Sequence, residues 1–317
     1  ALKNNGRIAL TGTPVENGLT ELWSIVDFVQ PGLLGSLKQF KEKYEAVLKE
    51  GKNYEEVQQN LENELKLVYK RRTKKGELEK QLPKKIEHHG EHLVQMGKDQ
   101  ASLSRFILEQ VHNKQLEPLH GLQELKKVSS HPGLVNQQYS QLKVKQVPKL
   151  SATVDILKDV KSKGEKALIF TEYREMQSIL KRTIAEEFKV NAMVINGSTD
   201  SRQDLIDRFN DMEGFDVLIL SPKAAGVGLT ITSANHVIHY TRWWNPAIEN
   251  QATDRAYRIG QEKDVHVYYP MISTEAGNSF EEIVDNLLIE KKELAENVIV
   301  PSKGLDIDKE LQERVLQ

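Results

Sequence analysis

The 317 residues contain no cysteine. That excludes disulfides, thiolate zinc sites and a cysteine nucleophile, and it fits a reducing compartment. No run of about 18 apolar residues occurs, so no membrane-spanning helix is expected. Net charge is −2, so there is no overall basic field, and contact with nucleic acid would need a local basic groove. The chain starts at Ala1 without an initiator Met or a signal peptide and runs directly into a strand-like segment. It is therefore expected to be a piece of a longer protein. What is present is ordinary for a globular protein: 38% hydrophobic and 28% charged residues, with a length that suggests about two domains.

Along the chain, Arg7–Leu10 reads as a short buried strand, Thr11-Gly-Thr-Pro14 as a tight turn, and Leu19 to Val26 as a helix ending near Pro31-Gly32. Residues 36–70 read as a charged helical pair without a core of its own, followed by the basic run Lys70 to Lys75. Lys85 to Met96 is loosely strand-like. His88, His89 and His92 lack partners at ligand spacing, so no metal is expected there. Residues 98–128 are helical, and a polar linker covers 136–149 before a charged helix at 151–163. From 166 the pattern changes to five apolar strands, 167–170, 192–195, 217–220, 236–240 and 265–269, with helices at 174–188, 201–211 and 247–258. Alternation of this kind predicts an α/β fold with a parallel sheet covered on both faces. Ligand-contacting residues then belong beyond the carboxyl ends of the strands.

Those strand-end loops favour anions. Ser221, Lys223, Gly226 and Gly228 follow one strand, and two glycines let a backbone approach a phosphate closely, although a plain tight turn explains them equally well. Asn196 and Ser198 follow another, with Arg202 at the next helix start, where a helix N-terminus can hold an anion and a Ser-capped helix is the plain alternative. Arg242-Trp-Trp244-Asn245-Pro follows a third, and its adjacent indoles suit one core and one interface position. The stretch Gln251-Ala-Thr-Asp-Arg255-Ala-Tyr-Arg258-Ile-Gly-Gln261 closes the series. On a helix, Gln251, Arg255 and Arg258 share one face, and paired guanidiniums fit phosphate oxygens. Taken alone, the pair is more simply a solvated one held by Asp254 and Glu249.

In order, these segments resemble the Swi/Snf-type ATPases, double-stranded-DNA translocases built from two RecA-like lobes. Leu10-Thr-Gly-Thr-Pro14 with Asn17, Leu22-Trp23 and Pro31-Gly32 resembles the third helicase motif, and Arg71-Arg-Thr-Lys74 with Leu82-Pro83 resembles the basic end of the first lobe. Leu125-Lys-Lys-Val-Ser-Ser-His131-Pro132 resembles the family's Cys-Asn-His-Pro signature with Ser-Ser in place of Cys-Asn. Ala167–Thr171, Ser221–Thr230 and Gln251–Gln261 resemble motifs IV, V and VI. Glu16 in place of Gln and Ala224-Ala225 in place of a glycine pair are small departures.

The resemblance implies three parts: the end of a first lobe with a helical protrusion (1–95), a second protrusion with linker (96–150), and a complete second RecA-like lobe (151–317). It implies that Arg255 and Arg258 are arginine fingers on ATP, supported by Gln251, with Gly226 and Gly228 near the nucleotide. It implies coupling roles for Thr11, Gly12, Thr13, Trp244 and Asn245, and DNA-backbone contacts from Arg202, Ser221, Lys223, Asn196 and Ser198. Expected partners are duplex DNA, ATP with Mg²⁺, the rest of the first lobe in cis and recruiting protein subunits, with no membrane. The chain has no G-x-x-x-x-G-K-[ST] loop and no Asp-Glu-x-His box, the segments that cradle phosphate, hold magnesium and activate water. ATP hydrolysis is therefore expected of the parent and not of these 317 residues. A strand-separating DNA or RNA helicase and a non-catalytic nucleic-acid-binding regulatory module are the alternatives. The wording from Trp243 to Arg255 resembles bacterial members, implying a cytoplasmic, nucleoid-associated protein, or a nuclear one if the source is eukaryotic.

Overall fold

The computed structural model describes residues 6–11, 19–49, 54–70, 81–222, 228–275, 279–296 and 307–316. The chain falls into two compact units, Ala1–Glu77 with Leu288–Asp306, and Leu78–Leu287 with Ile307–Gln317.

The regular elements described in the first unit are helices. Helix α1 (Leu19–Val29) is followed by α2 (Leu37–Phe40), a π-helical turn (Lys41–Glu45), α3 (Ala46–Lys49) and α4 (Tyr54–Leu65). Ser36 and Gln39 form a capping box that starts α2, satisfying amides that the first turn leaves open. Contrary to expectation, this charged region has a core. Leu19, Leu22 and Val26 of α1 pack with Phe40, Tyr44, Val57, Leu61 and Leu65. Helical spacing puts the apolar residues of each segment on one stripe, and α1 covers that stripe. A second correction concerns Arg7–Leu10, which forms no strand and leaves Ile8 83% and Leu10 94% exposed. A strand needs a neighbour for its backbone groups, and none of the described residues pairs with this segment.

The second unit is built on a six-stranded parallel sheet. Strands β1 (Lys85–His88), β3 (Lys166–Phe170), β4 (Met193–Ile195), β5 (Asp216–Leu220), β6 (His236–His239) and β7 (Val265–Tyr268) take the order β1-β7-β6-β3-β5-β4. A separate parallel pair joins β2 (Leu93–Gln95) to β8 (Met271–Ser273). So β1 and β2, read from sequence with residues 1–95, pair with β7 and β8. Strands β3 and β5 are buried at every position, as sheets covered on both faces require. Alternate residues enter opposite cores. Ala167, Ile169, Val217, Ile219 and Ile238 meet α7 (Pro148–Ser162) and α8 (Arg174–Phe188). Leu168, Phe170, Leu218, Leu220 and Val237 meet α9 (Arg202–Asp211) and the segment around Ala252 and Ala256. Between β2 and β3 in the chain lie α5 (Lys98–His112), α6 (Pro118–Ser130) and α7. Helix α10 (Pro246–Thr253) connects β6 to β7, and α11 (Phe280–Glu296) and α12 (Ile307–Val315) follow β8.

Helix α10 is shorter than the 247–258 expected. It ends at Thr253, and Asp254–Gly260 form turns. The cause is competition for backbone groups. The Arg255 carbonyl accepts Ile231 N at 2.9 Å, outside the helix ladder. The Gln261 amide donates to Thr232 O, Ala234 O and Ala256 O. Gly260 sits at φ +99°, where a side chain would strain.

Candidate anion-binding site

Parallel strands deliver their carboxyl ends to one edge, and four of them frame a cavity of about 270 Å³. Its lining comes from Glu172 and Arg174 after β3, Asn196, Gly197 and Arg202 after β4, Ser221 and Pro222 after β5, and Trp243 after β6, with Gln177 on α8. The β4 loop is built by its own side chains. Asn196 Oδ1 accepts from Ser198 N (3.0 Å) and Ser198 Oγ (2.7 Å), and Asn196 Nδ2 donates to Gln177 Oε1 at 3.0 Å. Gln177 Nε2 in turn donates to Thr171 O at 3.2 Å. Arg202 donates to Thr199 O (3.2 Å) and Gly197 O (3.3 Å), and Arg174 Nη2 lies 3.9 Å from where a Gly197 Cβ would stand. Two guanidiniums thus flank one loop without a described carboxylate pairing either of them.

The loop from β6 to α10 is held by a different arginine. Arg242 is buried, donates to both carboxylate oxygens of Glu249 (3.0 and 3.2 Å), and also pairs with Asp285 of α11. Burial works against its charge, but Glu249 and Asp285 outweigh that and hold its pKa above the ordinary value. Glu249 also accepts Trp243 N at 2.7 Å, and Asn245 caps α10 by accepting Ala247 N at 2.9 Å. The two indoles are both half-buried. Trp244 packs on Phe280, with its buried N–H lacking an acceptor among the described residues.

Arg255 and Arg258 converge on one atom. Each donates Nη1 to Leu229 O at 3.3 Å. Arg255 Nε also reaches Gln251 O (3.1 Å), and Arg258 Nη1 reaches Thr230 Oγ1 (2.9 Å). Neither pairs with a described carboxylate, and Glu249, one of the counter-ions considered from sequence, is taken by Arg242. Burial, and then the adjacent Arg258 charge, lower the Arg255 pKa against the opposing pull of Asp254. Gln251 meets Arg255 through its main-chain carbonyl rather than its amide. Gly228 precedes this carbonyl at φ +60° with open space where a Cβ would stand, so conformation rather than crowding favours glycine there.

The structure therefore gathers Asn196, Arg202 and Ser221 into one cavity, and Gln251, Arg255, Arg258 and Gly228 around Leu229. Ser198 is exposed and shapes the cavity loop. Thr11 is exposed in the other unit, while Gly12, Thr13, Lys223 and Gly226 lie outside the described residues. Sequence reasoning missed Arg174, Glu172 and Gln177. Their signal was available, because they follow the β3 strand end as Arg202 follows β4. The described residues hold no group of three His, Asp or Glu able to bind a metal, and no helix long and apolar enough to cross a membrane.

Comparison with known proteins agrees with this layout. The SNF2-related domain matches residues 1–147 and the Helicase conserved C-terminal domain matches residues 148–260. The chain is 38% identical over 325 residues to Zorya protein ZorD of Escherichia coli, covering 96% of this chain and 30% of that protein. It is 38% identical over 312 residues to the putative ATP-dependent helicase/translocase YwqA of Bacillus subtilis, covering 94% and 33%. It therefore spans about a third of the curated relatives' length. Among solved structures, the Sulfolobus solfataricus SWI2/SNF2 ATPase core in complex with dsDNA is similar at 32% identity and TM-score 0.57, over 96% of this chain and 66% of that one. The chain belongs to the SNF2-related family, with the SNF2-related domain followed by the helicase conserved C-terminal domain.

Proposed function

We propose that this chain is the C-terminal motor portion of an ATP-driven translocase on duplex DNA. In this reading Arg255 and Arg258 meet the nucleotide phosphates, and the strand-end cavity holds backbone phosphates of the duplex. The observation that carries it is the convergence of two guanidiniums on Leu229 O, neither of them ion-paired with a carboxylate among the described residues. Two like charges held together are stabilised when an anion arrives, and planar Arg suits phosphate. ATP would supply the phosphoryl group and its negative charge, part of which Mg²⁺ would offset. The chain's own contribution is to orient donors toward charge that develops during transfer.

Arg174, Arg202 and Ser221 then contact duplex phosphates from one edge of the sheet. Contacts of that kind position without reading sequence and weaken with salt. The relatives, a putative ATP-dependent helicase/translocase and an ATPase core in complex with dsDNA, support both halves of the proposal. Closure and reopening of the nucleotide site would move these cavity loops against the DNA grip of the other lobe.

Arginine donors act only on a nucleotide already cradled with its metal, so the 317 residues alone hydrolyse no ATP while still binding a duplex without sequence preference. Titration of labelled duplexes of unrelated sequence at several salt concentrations, alongside phosphate release, checks both statements. Duplex-stimulated hydrolysis by the 317 residues, or sequence-selective binding without a salt dependence, would sink the proposal.

A further inference from the structure

The cavity contains one carboxylate, Glu172, and a phosphate site is weakened by a bare negative charge. Glu172 is not bare. Lys126, on α6, places Nζ 2.5 Å from Glu172 Oε1. The same ammonium lies 5.4 Å from the Trp243 ring centre and 4.9 Å from that of Trp244. Lys126 is only 9% exposed, whereas the next residue, Lys127, pairs with Glu124 one turn away on the same helix. A buried ammonium needs compensation, and here it comes from one carboxylate and two indole faces. All three partners belong to strand-end loops, two from the cavity wall and one from the segment that leads into α10.

The geometry points to Lys126 as a positioning residue that neutralises Glu172 and so keeps the cavity receptive to a phosphate. This rests on the proposed reading of the cavity as a DNA-backbone site. With Lys126 removed, the Glu172 carboxylate loses this ion pair and shares the cavity lining with two other cations, Arg174 and Arg202. Pairing with either would take a donor from the phosphate and leave a repulsive charge in the wall. Lys126 contacts no phosphate in this scheme, and its effect reaches the site only through Glu172 and the indoles.

The test uses the 317-residue chain and a labelled 20-base-pair duplex at low salt. Lys126→Met should weaken binding about five-fold, the size of a single charge acting near a protein surface. Glu172→Gln should leave binding unchanged or tighter, and the double variant should return to within about two-fold of the original, because it removes the repulsion along with its shield. Lys126→Arg should retain binding, since it keeps the charge. Binding by Lys126→Met equal to that of the unmodified chain, or a double variant as weak as Lys126→Met, overturns the inference. So does a several-fold loss of binding in Glu172→Gln, a result that stays decisive if Lys126→Met does not fold. Arg202→Ala separates the two levels. If it weakens binding while Lys126→Met does not, only the shielding role fails. If it has no effect, the cavity reading fails and the role of Lys126 falls with it.

Discussion

Arg242 and Arg255 are thirteen positions apart in one continuous segment, yet the two ends of that segment treat their charges in opposite ways. At the first, Arg242 is buried with two carboxylates, Glu249 and Asp285, which answer its charge and fix the loop before α10. At the second, Arg255 and Arg258 share a carbonyl and lack a carboxylate among the described residues. The first arrangement is complete and leaves nothing for a ligand. The second holds two like charges together and is stabilised by an anion. What separates a structural arginine from one available to a ligand is the presence of its counter-ion, which spacing in the sequence does not reveal.

The comparison breaks most directly through Arg258. In a chain that also carries a phosphate-cradling loop, Arg258→Ala should lower duplex-stimulated ATP turnover by roughly 10³-fold or more, with stability changed by no more than about 0.5 kcal/mol. Phosphate release and urea unfolding read the two quantities. Turnover within a few-fold of the original would place Arg258 with the structural arginines. Arg242 should behave in the opposite sense. Arg242→Met leaves Glu249 and Asp285 buried and unanswered, so the second unit should lose about 3–5 kcal/mol in urea unfolding. Loss of under about 1 kcal/mol would mean that the pair does not hold the loop.

A third base sharpens the contrast by having burial without compensation. His131, after α6, is fully buried, accepts Gly133 N at Nδ1 (3.0 Å), and has no partner at Nε2 among the described residues. Burial, and then the Arg182 charge, lower its pKa from 6.5 to about 4. As pH falls, the unfolded chain takes this proton first. Its contribution to stability is therefore full above pH 6.5 and is lost between 6.5 and about 4. Within that window stability should fall by about 1.4 kcal/mol per pH unit from this group. His131→Asn keeps an acceptor for Gly133 N, as Asn136 does for Gln138 N, and should remove that slope. An unchanged slope from denaturant midpoints at pH 4.5, 5.5 and 6.5 would assign the acid sensitivity elsewhere.

Much of the second unit was legible because parallel strands buried on both faces leave a continuous apolar signature. Ala167–Phe170 and Val217–Leu220 fall inside β3 and β5, and helix 174–188 matches α8. Strand β1 was harder to place. Its polar Lys85-Ile-Glu-His88 carries little periodicity, and its role is decided by pairing with Val265–Tyr268, far along the chain. The end of α10 was missed for a related reason. Residues 254–258 have acceptable helix propensity, and a long-range bond from Ile231 N to Arg255 O overrides it. Arg7–Leu10 reads as buried by composition, yet burial depends on a neighbouring strand that local sequence cannot supply.

By itself, then, the sequence determined the buried central strands, which way their ends point, and which family's motifs they carry, because these depend on local periodicity and on residue types at fixed spacing. Only the tertiary structure decided which charges are already answered. It gave Glu249 to Arg242, brought Arg255 and Arg258 together through turns rather than a helix face, and placed Lys126 between Glu172 and two indoles. Charge compensation acts over a few ångströms in space, between residues separated by anything from three positions to more than a hundred, so it exists only once the chain has folded.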